Sequence, residues 1–283
     1  MSPSLRLIQA SRLSEGAGVT VHRTIGTTAL RTLDPFLMLD HFNSTHPGDY
    51  IAGFPDHPHR GFVTFTYLLE GHMLHRDSMG HEGDLVTGGA QWMKAARGVI
   101  HSEMPRQTEG RMSGFQLWIN LPSREKMSSP EYREILPDQI PRLREGEGES
   151  EIRLLAGSWA GHEGALTDPL THLLYADIAL SPQGSLTLPE ELLAGRSAFL
   201  YGIEGPFRAS ETEVPLETLA VVASPQSPFP GDLRLSAGTD PARLILVTGR
   251  PIGEPVAAYG PFVMNTREEV ERAIDDYRNN RFL

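Results

Sequence analysis

Cysteine is absent from the 283 residues. That excludes disulfides, thiolate-held metals and cysteine nucleophiles, and it fits a reducing compartment. Long apolar runs are absent too: the longest, Leu219 to Ala223, is five residues, against the ~20 that a membrane-spanning helix needs. The opening MSPSLRLIQASRLSEG lacks the apolar stretch of a signal peptide, so a cytoplasmic location is expected. Positive charge is in deficit, with 25 Lys and Arg against 36 Asp and Glu, a net charge of −11 and a pI near 5.5. Nucleic acid and anionic membranes demand clustered cations, so direct binding to either is not expected. No phosphate loop, dinucleotide fingerprint or G-x-S-x-G elbow is present.

Glycine and proline are plentiful, 28 and 22 residues, which favours short strands and turns over long helices. The length suggests about two domains. Strand-like segments run through 61–69, 99–104 and 115–121, and again through 173–180, 185–188, 197–201, 219–223 and 244–247. Between them, 122–150 carries four prolines and dense charge, and reads as a linker or long crossover with at most one short helical turn. FTYLLEG at 65–71 and AFLYGIEG at 198–205 are loosely alike, a weak sign of a duplicated barrel. The end is helical. Thr266 and Glu269 form a capping box, and Val270, Ala273, Ile274 and Tyr277 make a stripe expected to pack on the body of the protein.

Nine of the eleven histidines precede residue 102, so ligand chemistry belongs to the first half. In Asp56-His57-Pro58-His59-Arg60-Gly61, an extended strand turns His57 and His59 to the same face. His101-Ser102-Glu103 repeats the device with an imidazole and a carboxylate. On neighbouring strands the four would converge on one cation; otherwise they are strand-edge or surface groups, and spacing alone leaves both open. Such a mixed ligand set suits Fe, Mn, Ni, Cu or Zn better than Mg or Ca. His72, His75 and His81 read as solvated histidines of a hairpin and its loop, with an accessory metal or a pocket rim as the lesser alternative. Asp56 and Arg60 are candidates to orient the ligand imidazoles, with an ordinary ion pair an equal alternative. Phe65, Trp92, Met93 and Trp118 read as core, or less readily as the lining of an aromatic cavity.

The blocks DPFLMLDHF (34–42), FPDHPHRGF…TYLLEG (54–71), QWMKAARGVIHSEMP (91–105), FQLWINLP (115–122) and GRPIGEPVAAYGPFVMNT (249–266) resemble the pirin family of the cupin superfamily. The resemblance spans most of the chain. It implies an all-β fold of two jelly-roll-like cupin barrels packed face to face, with a short C-terminal helix. The barrels are expected at 1–121, with one metal, and at 151–283, without metal and ending in the helix, joined by 122–150. Carried over, the metal ligands are His57, His59, His101 and Glu103, and the metal is iron(II) first, with Mn, Ni, Cu or Zn as alternatives. The implied activity is that of a quercetin 2,3-dioxygenase, acting on a small aromatic flavonol and O₂, with Glu103 as the base that takes the 3-hydroxyl proton. The alternative implied is a metal- and redox-responsive regulator that binds a protein partner, either a transcription cofactor or a metabolic enzyme.

Three departures stand out. Val63 replaces the family's usual Glu after HPHRGF, which removes an acidic group and puts chemistry that needs it in doubt. Thr87-Gly88-Gly89 replaces PGD, which should alter only a turn. Lys94 replaces the Thr after QWM and is expected to be solvated, with a cation near the pocket as the alternative.

Overall fold

The computed structural model describes residues 5–148 and 150–283. Strands dominate, and the described residues hold one α-helix, Arg267–Arg278. Two compact units form, each built around one seven-stranded and one four-stranded antiparallel sheet. One comprises Ser11–Gly26, Phe36–Pro137 and Ile252–Leu283; the other comprises residues 5–10, Thr27–Pro35 and Asp138–Pro251.

In the first unit the large sheet runs in the order Glu131–Ile135, Ala90–Lys94, Phe62–Glu70, Met112–Asn120, Phe36–Ser44, Val19–Arg23, Ser11–Glu15. Its small sheet runs Phe54–His59, Val99–Pro105, His72–Asp77, Glu82–Val86. The second unit repeats the plan. Its large sheet is Arg6–Gln9, Thr218–Ala223, Ser197–Glu204, Ala242–Gly249, Leu174–Leu180, Ser150–Ala156, Arg142–Glu145. Its small sheet is Ser185–Leu188, Leu233–Ala237, Phe207–Ala209, Thr212–Val214. The weak similarity of 65–71 to 198–205 therefore marks equivalent positions, since both segments lie on the third strand of a large sheet and end at a glycine with positive φ.

This equivalence explains a chemical asymmetry between the units. Met73 pairs with Pro105, and Phe207 with Ala237, each two residues beyond its glycine. Counting back along the partner strands matches Glu103 to Leu235 and His101 to Leu233. His101 lies opposite His57, and Leu233 opposite Leu188. All three leucines belong to the second unit's buried apolar cluster. A carbon side chain offers no ligand atom, and those leucines serve hydrophobic burial instead.

Two expectations about organisation are corrected. Residues 122–150 are not simply a linker: Glu131–Ile135 and Arg142–Glu145 are edge strands of the two large sheets, one in each unit. Their charged, half-exposed sequences suit an edge, where charge discourages pairing with other chains. The units are also not consecutive along the chain. Strand Arg6–Gln9 pairs with Thr218–Ala223, and the C-terminal helix groups with the first unit rather than closing the second.

The helix forms as its sequence requires. Thr266 accepts the Glu269 N–H while the Glu269 side chain reaches back to the cap. Val270 and Ala273 are buried with Phe262, Met264 and Phe282, and Ile274 is half-buried against them; Tyr277 stays exposed. Two buried cations fasten this terminal segment beside the small sheet. Lys126 Nζ donates to the carbonyls of Gly61 and Val263 at 2.7 and 3.0 Å and to Asn120 Oδ1 at 2.6 Å. Arg60 binds Asp276 at 2.8 Å and lies over the Phe282 ring. Gly61 has φ +92°, and a Cβ there would stand 1.9 Å from the Val263 carbonyl oxygen, so the close approach requires glycine. Among the described residues no helix is long and apolar enough to cross a membrane.

Candidate metal centre

Strand pairing brings the sequence-selected residues together. In the small sheet of the first unit, Val99 lies opposite His59 and His101 opposite His57. The i, i+2 alternation turns His57, His59 and His101 to one side. One ring nitrogen from each lies within 4.8 Å of the other two, and His57 Nε2 stands 3.0 Å from His59 Nε2. Nitrogens bound ~2.1 Å from one ion stand roughly 3.0–3.4 Å apart, so this spacing fits a shared cation.

Tautomers point the same way. His57 Nδ1 donates to the Pro55 carbonyl at 2.8 Å, which leaves its Nε2 as the lone-pair nitrogen. His101 Nε2 is buried without a hydrogen-bond partner. Burial first, and for His59 and His101 the neighbouring imidazoles second, lowers the pKa of all three rings. They are therefore neutral, the form that binds metals. A divalent metal fits these three residues.

Glu103 shares the cavity but stands outside the cluster of three. A register shift separates it from His101, and its carboxylate is held by the large sheet instead. Thr66 Oγ1 at 3.1 Å and Gln91 Nε2 both donate to Oε1, and Gln116 Nε2 donates to Oε2 at 2.9 Å. Burial pushes its pKa up to about 7 against the opposing pull of those three donors. A carboxyl group poised there can take or give a proton near neutrality.

His57, His59 and Glu103 line a cavity of about 650 Å³. Its apolar wall includes Phe42, Phe54, Met73 and Trp118, and Trp118 meets the His59 ring edge-on at 5.2 Å between centroids. Opposite in character are Arg23 and Asp40, joined by two 2.7 Å hydrogen bonds, with Glu15 2.8 Å from the same guanidinium. Sequence reasoning did not single out this buried ion pair. Its members are far apart in the chain, and only the adjacency of Val19–Arg23 to Phe36–Ser44 joins them.

Other expectations divide. His72 is half-buried and His81 exposed, bonded to Asp84 and Asp77, as a hairpin location implies. His75 is not solvated: it is 1% exposed, beside His101. The missed signal was His75-Arg76-Asp77, which repeats the i, i+2 spacing on strand His72–Asp77. Asp56 is exposed and Arg60 points to the C-terminal segment, so neither orients an imidazole; the Pro55 carbonyl does so for His57. Lys94 is buried, not solvated, between Glu125 and Glu131 at 3.0 and 3.3 Å, and it does not line the cavity. Val63 pairs with Lys94 three residues from Thr66, so it faces away from the cavity that Thr66 lines. A carboxylate at 63 would not point at the imidazoles. Phe65, Trp92 and Met93 are core, and Trp118 lines the cavity. Residues 87–89 form the turn between Glu82–Val86 and Ala90–Lys94.

Two barrels built on one strand plan, with imidazoles converging, among the described residues, inside one of them, define a bicupin. Sequence comparison places it further. The Pirin profile matches residues 18–119 and that of the Pirin C-terminal cupin domain matches 175–283. A pirin-like protein of Caulobacter vibrioides is 45% identical over 282 residues, covering 99% of each chain. Pirin of Homo sapiens is 41% identical over 274 residues, covering 94% of this chain and 89% of its own. The crystal structure of an Acinetobacter baumannii quercetin 2,3-dioxygenase superposes with a TM-score of 0.89 at 32% identity, covering 100% of this chain and 98% of the other. The chain belongs to the pirin family.

Proposed function

We propose that the protein is a metal-dependent dioxygenase of the quercetin 2,3-dioxygenase type, acting on a flavonol or a similar hydroxylated aromatic with O₂. The observation that carries the proposal is the convergence of three neutral, largely buried imidazoles beside a cavity that also holds a carboxyl group poised near neutrality. His57, His59 and His101 hold one divalent metal, iron(II) first. Glu103, whose carboxylate the large sheet holds outside that cluster, is the base, and it would have to swing towards the ion to serve as the fourth ligand. Bound there, such an ion would polarise a chelating hydroxyl and its neighbouring carbonyl and favour reaction of the electron-rich substrate with O₂.

The remaining work falls to the chain's own groups. Trp118, Phe42 and Phe54 offer flat and apolar surface to an aromatic ring. Glu103 receives the substrate hydroxyl's proton on a carboxylate oxygen, and Gln91, Gln116 and Thr66 keep that carboxylate in place. The Arg23–Asp40 pair supplies hydrogen-bonding capacity for a substrate's outer hydroxyls. A cytoplasmic location remains part of this reading.

The test is metal analysis of anaerobically purified protein, followed by oxygen uptake with quercetin, with His101→Ala as the control. Stoichiometric iron with uptake abolished in the variant is the expected result. Bound metal without uptake on any flavonol would remove the dioxygenase reading, and a folded protein that takes up no metal would remove the site.

A further inference from the structure

The hydrogen bonds around His75 run in one direction and end at a nitrogen of the imidazole cluster. Strand His72–Asp77 lies beside Val99–Pro105, with Asp77 opposite His101 and His75 opposite Glu103. His75 Nδ1 is 3.4 Å from His101 Nδ1, and His75 Nε2 is 3.3 Å from Asp77 Oδ2. The His75 ring is stacked on Tyr132 at 4.4 Å with 10° between planes, which fixes its plane. The Asp77 side chain is wholly buried. Its Oδ1 accepts the backbone N–H groups of Met79 and His81 at 2.9 and 3.0 Å, and its Oδ2 also faces His81 Nδ1 at 3.0 Å. Burial opposes the charge on Asp77, but the donors from His81 and His75 outweigh it and hold the carboxyl below its usual range.

An ionised carboxylate can only accept. His75 must then carry its proton on Nε2, which leaves Nδ1 as the acceptor. His101 must in turn carry its proton on Nδ1, which leaves Nε2 as the lone-pair nitrogen beside His57 and His59. We propose that Asp77 and His75 are positioning residues that fix the tautomer of His101, so that its Nε2 is held ready as a ligand for a divalent metal. This rests on the metal site proposed above. A ligating imidazole ordinarily donates its other N–H directly to a carboxylate or carbonyl; here a second imidazole relays that demand from a carboxylate one residue further out.

The substitution Asp77→Asn tests the direction of the chain with almost no change in shape. The asparagine oxygen can keep both backbone N–H groups, while its NH₂ replaces the oxygen that faces His75. Each bond then reverses: His75 accepts at Nε2 and donates from Nδ1, and His101 holds its proton on Nε2. Nitrogen-15 NMR of the metal-free protein reads the tautomers directly. His101 is expected as Nδ1–H in the wild type and as Nε2–H in Asp77→Asn. Nickel(II), which binds imidazole well and does not oxidise in air, serves as the probe in competition with a chromophoric chelator. Its affinity is expected to fall roughly 10–100-fold in Asp77→Asn and to stay at the wild-type value in His81→Ala, where Asp77 still holds His75.

An unchanged His101 tautomer, or unchanged nickel affinity in a cooperatively folded Asp77→Asn protein, would overturn the proposal. An equal loss in His81→Ala would also overturn it, because the damage would then come from loosening the loop. Should Asp77→Asn fail to fold, His75→Phe keeps a ring on Tyr132 but removes the acceptor, and undiminished nickel affinity there refutes the proposal equally. If the wild type itself binds no nickel, the metal site fails, and the NMR comparison still decides whether Asp77 sets the tautomer.

Discussion

Replacing Glu103 by glutamine removes one buried ionisable group and leaves its volume in place, and the consequence should be visible in stability against pH. In the folded metal-free protein burial raises the Glu103 pKa from 4.5 to about 7, although Thr66, Gln116 and Gln91 pull the other way. Below pH 4.5 the group is protonated in both folded and unfolded chains and contributes no pH dependence. Between 4.5 and 7 the unfolded chain releases the proton while the folded one keeps it, so stability falls as pH rises. Above 7 the full penalty is present. The gap between 4.5 and about 7 corresponds to about 3 kcal/mol. The substituted amide does not titrate, so any fixed cost of its facing Gln116 is a constant offset. The assay is urea denaturation of both proteins at several pH values from about 4 to 8, with a chelator present throughout. The difference in unfolding free energy should move by about 3 kcal/mol in favour of Glu103→Gln as pH rises across the window. A difference that stays constant within about 1 kcal/mol would show that the three donors offset burial and leave the carboxyl ionised at neutral pH; the assignment of Glu103 as a group poised near neutrality would then fail.

Three further outcomes follow from buried contacts in the same unit. Arg23→Met leaves the Asp40 carboxylate buried without its bidentate partner and should cost ~3 kcal/mol in urea denaturation; a loss under ~1 kcal/mol would mean that water reaches the pair. Lys126→Met strands the carbonyls of Gly61 and Val263 and the Asn120 oxygen, for an expected ~2–4 kcal/mol, with increased hydrogen exchange in the C-terminal helix as the local readout. Gly61→Ala combines the positive φ with a methyl group driven against the Val263 carbonyl and should lower stability by ~1–3 kcal/mol at least, whereas Gly18→Ala, where a Cβ meets nothing within 4 Å, should cost only the backbone strain.

The candidate site was legible because its signal is local. His57 and His59 share a face by their i, i+2 spacing, and pairing of Val99–Pro105 with Phe54–His59 sets His101 beside them, while a register shift leaves Glu103 outside the cluster. The capping box at Thr266 and Glu269 is equally local, and the helix follows it. His75 escaped because a histidine in a polar hairpin resembles a solvated one until Tyr132, from an edge strand more than fifty residues later, covers it. Lys94 escaped for the same reason: its two carboxylate partners arrive from 125 and 131.

Composition, alternation and turn residues thus determined the strand content, the terminal helix and the facing of His57 with His59, since each depends on neighbours a few positions away. Tertiary structure alone decided which segments share a unit: Arg6–Gln9 pairs with strand Thr218–Ala223, and Arg60 and Lys126 hold the C-terminal segment. It also decided the state of the titratable groups. Glu103, with an ordinary carboxyl pKa in the open chain, is pushed to about 7 by burial, and the cluster imidazoles are kept neutral by the same cause. Desolvation depends on every atom that surrounds a group, and most of those atoms come from distant parts of the chain.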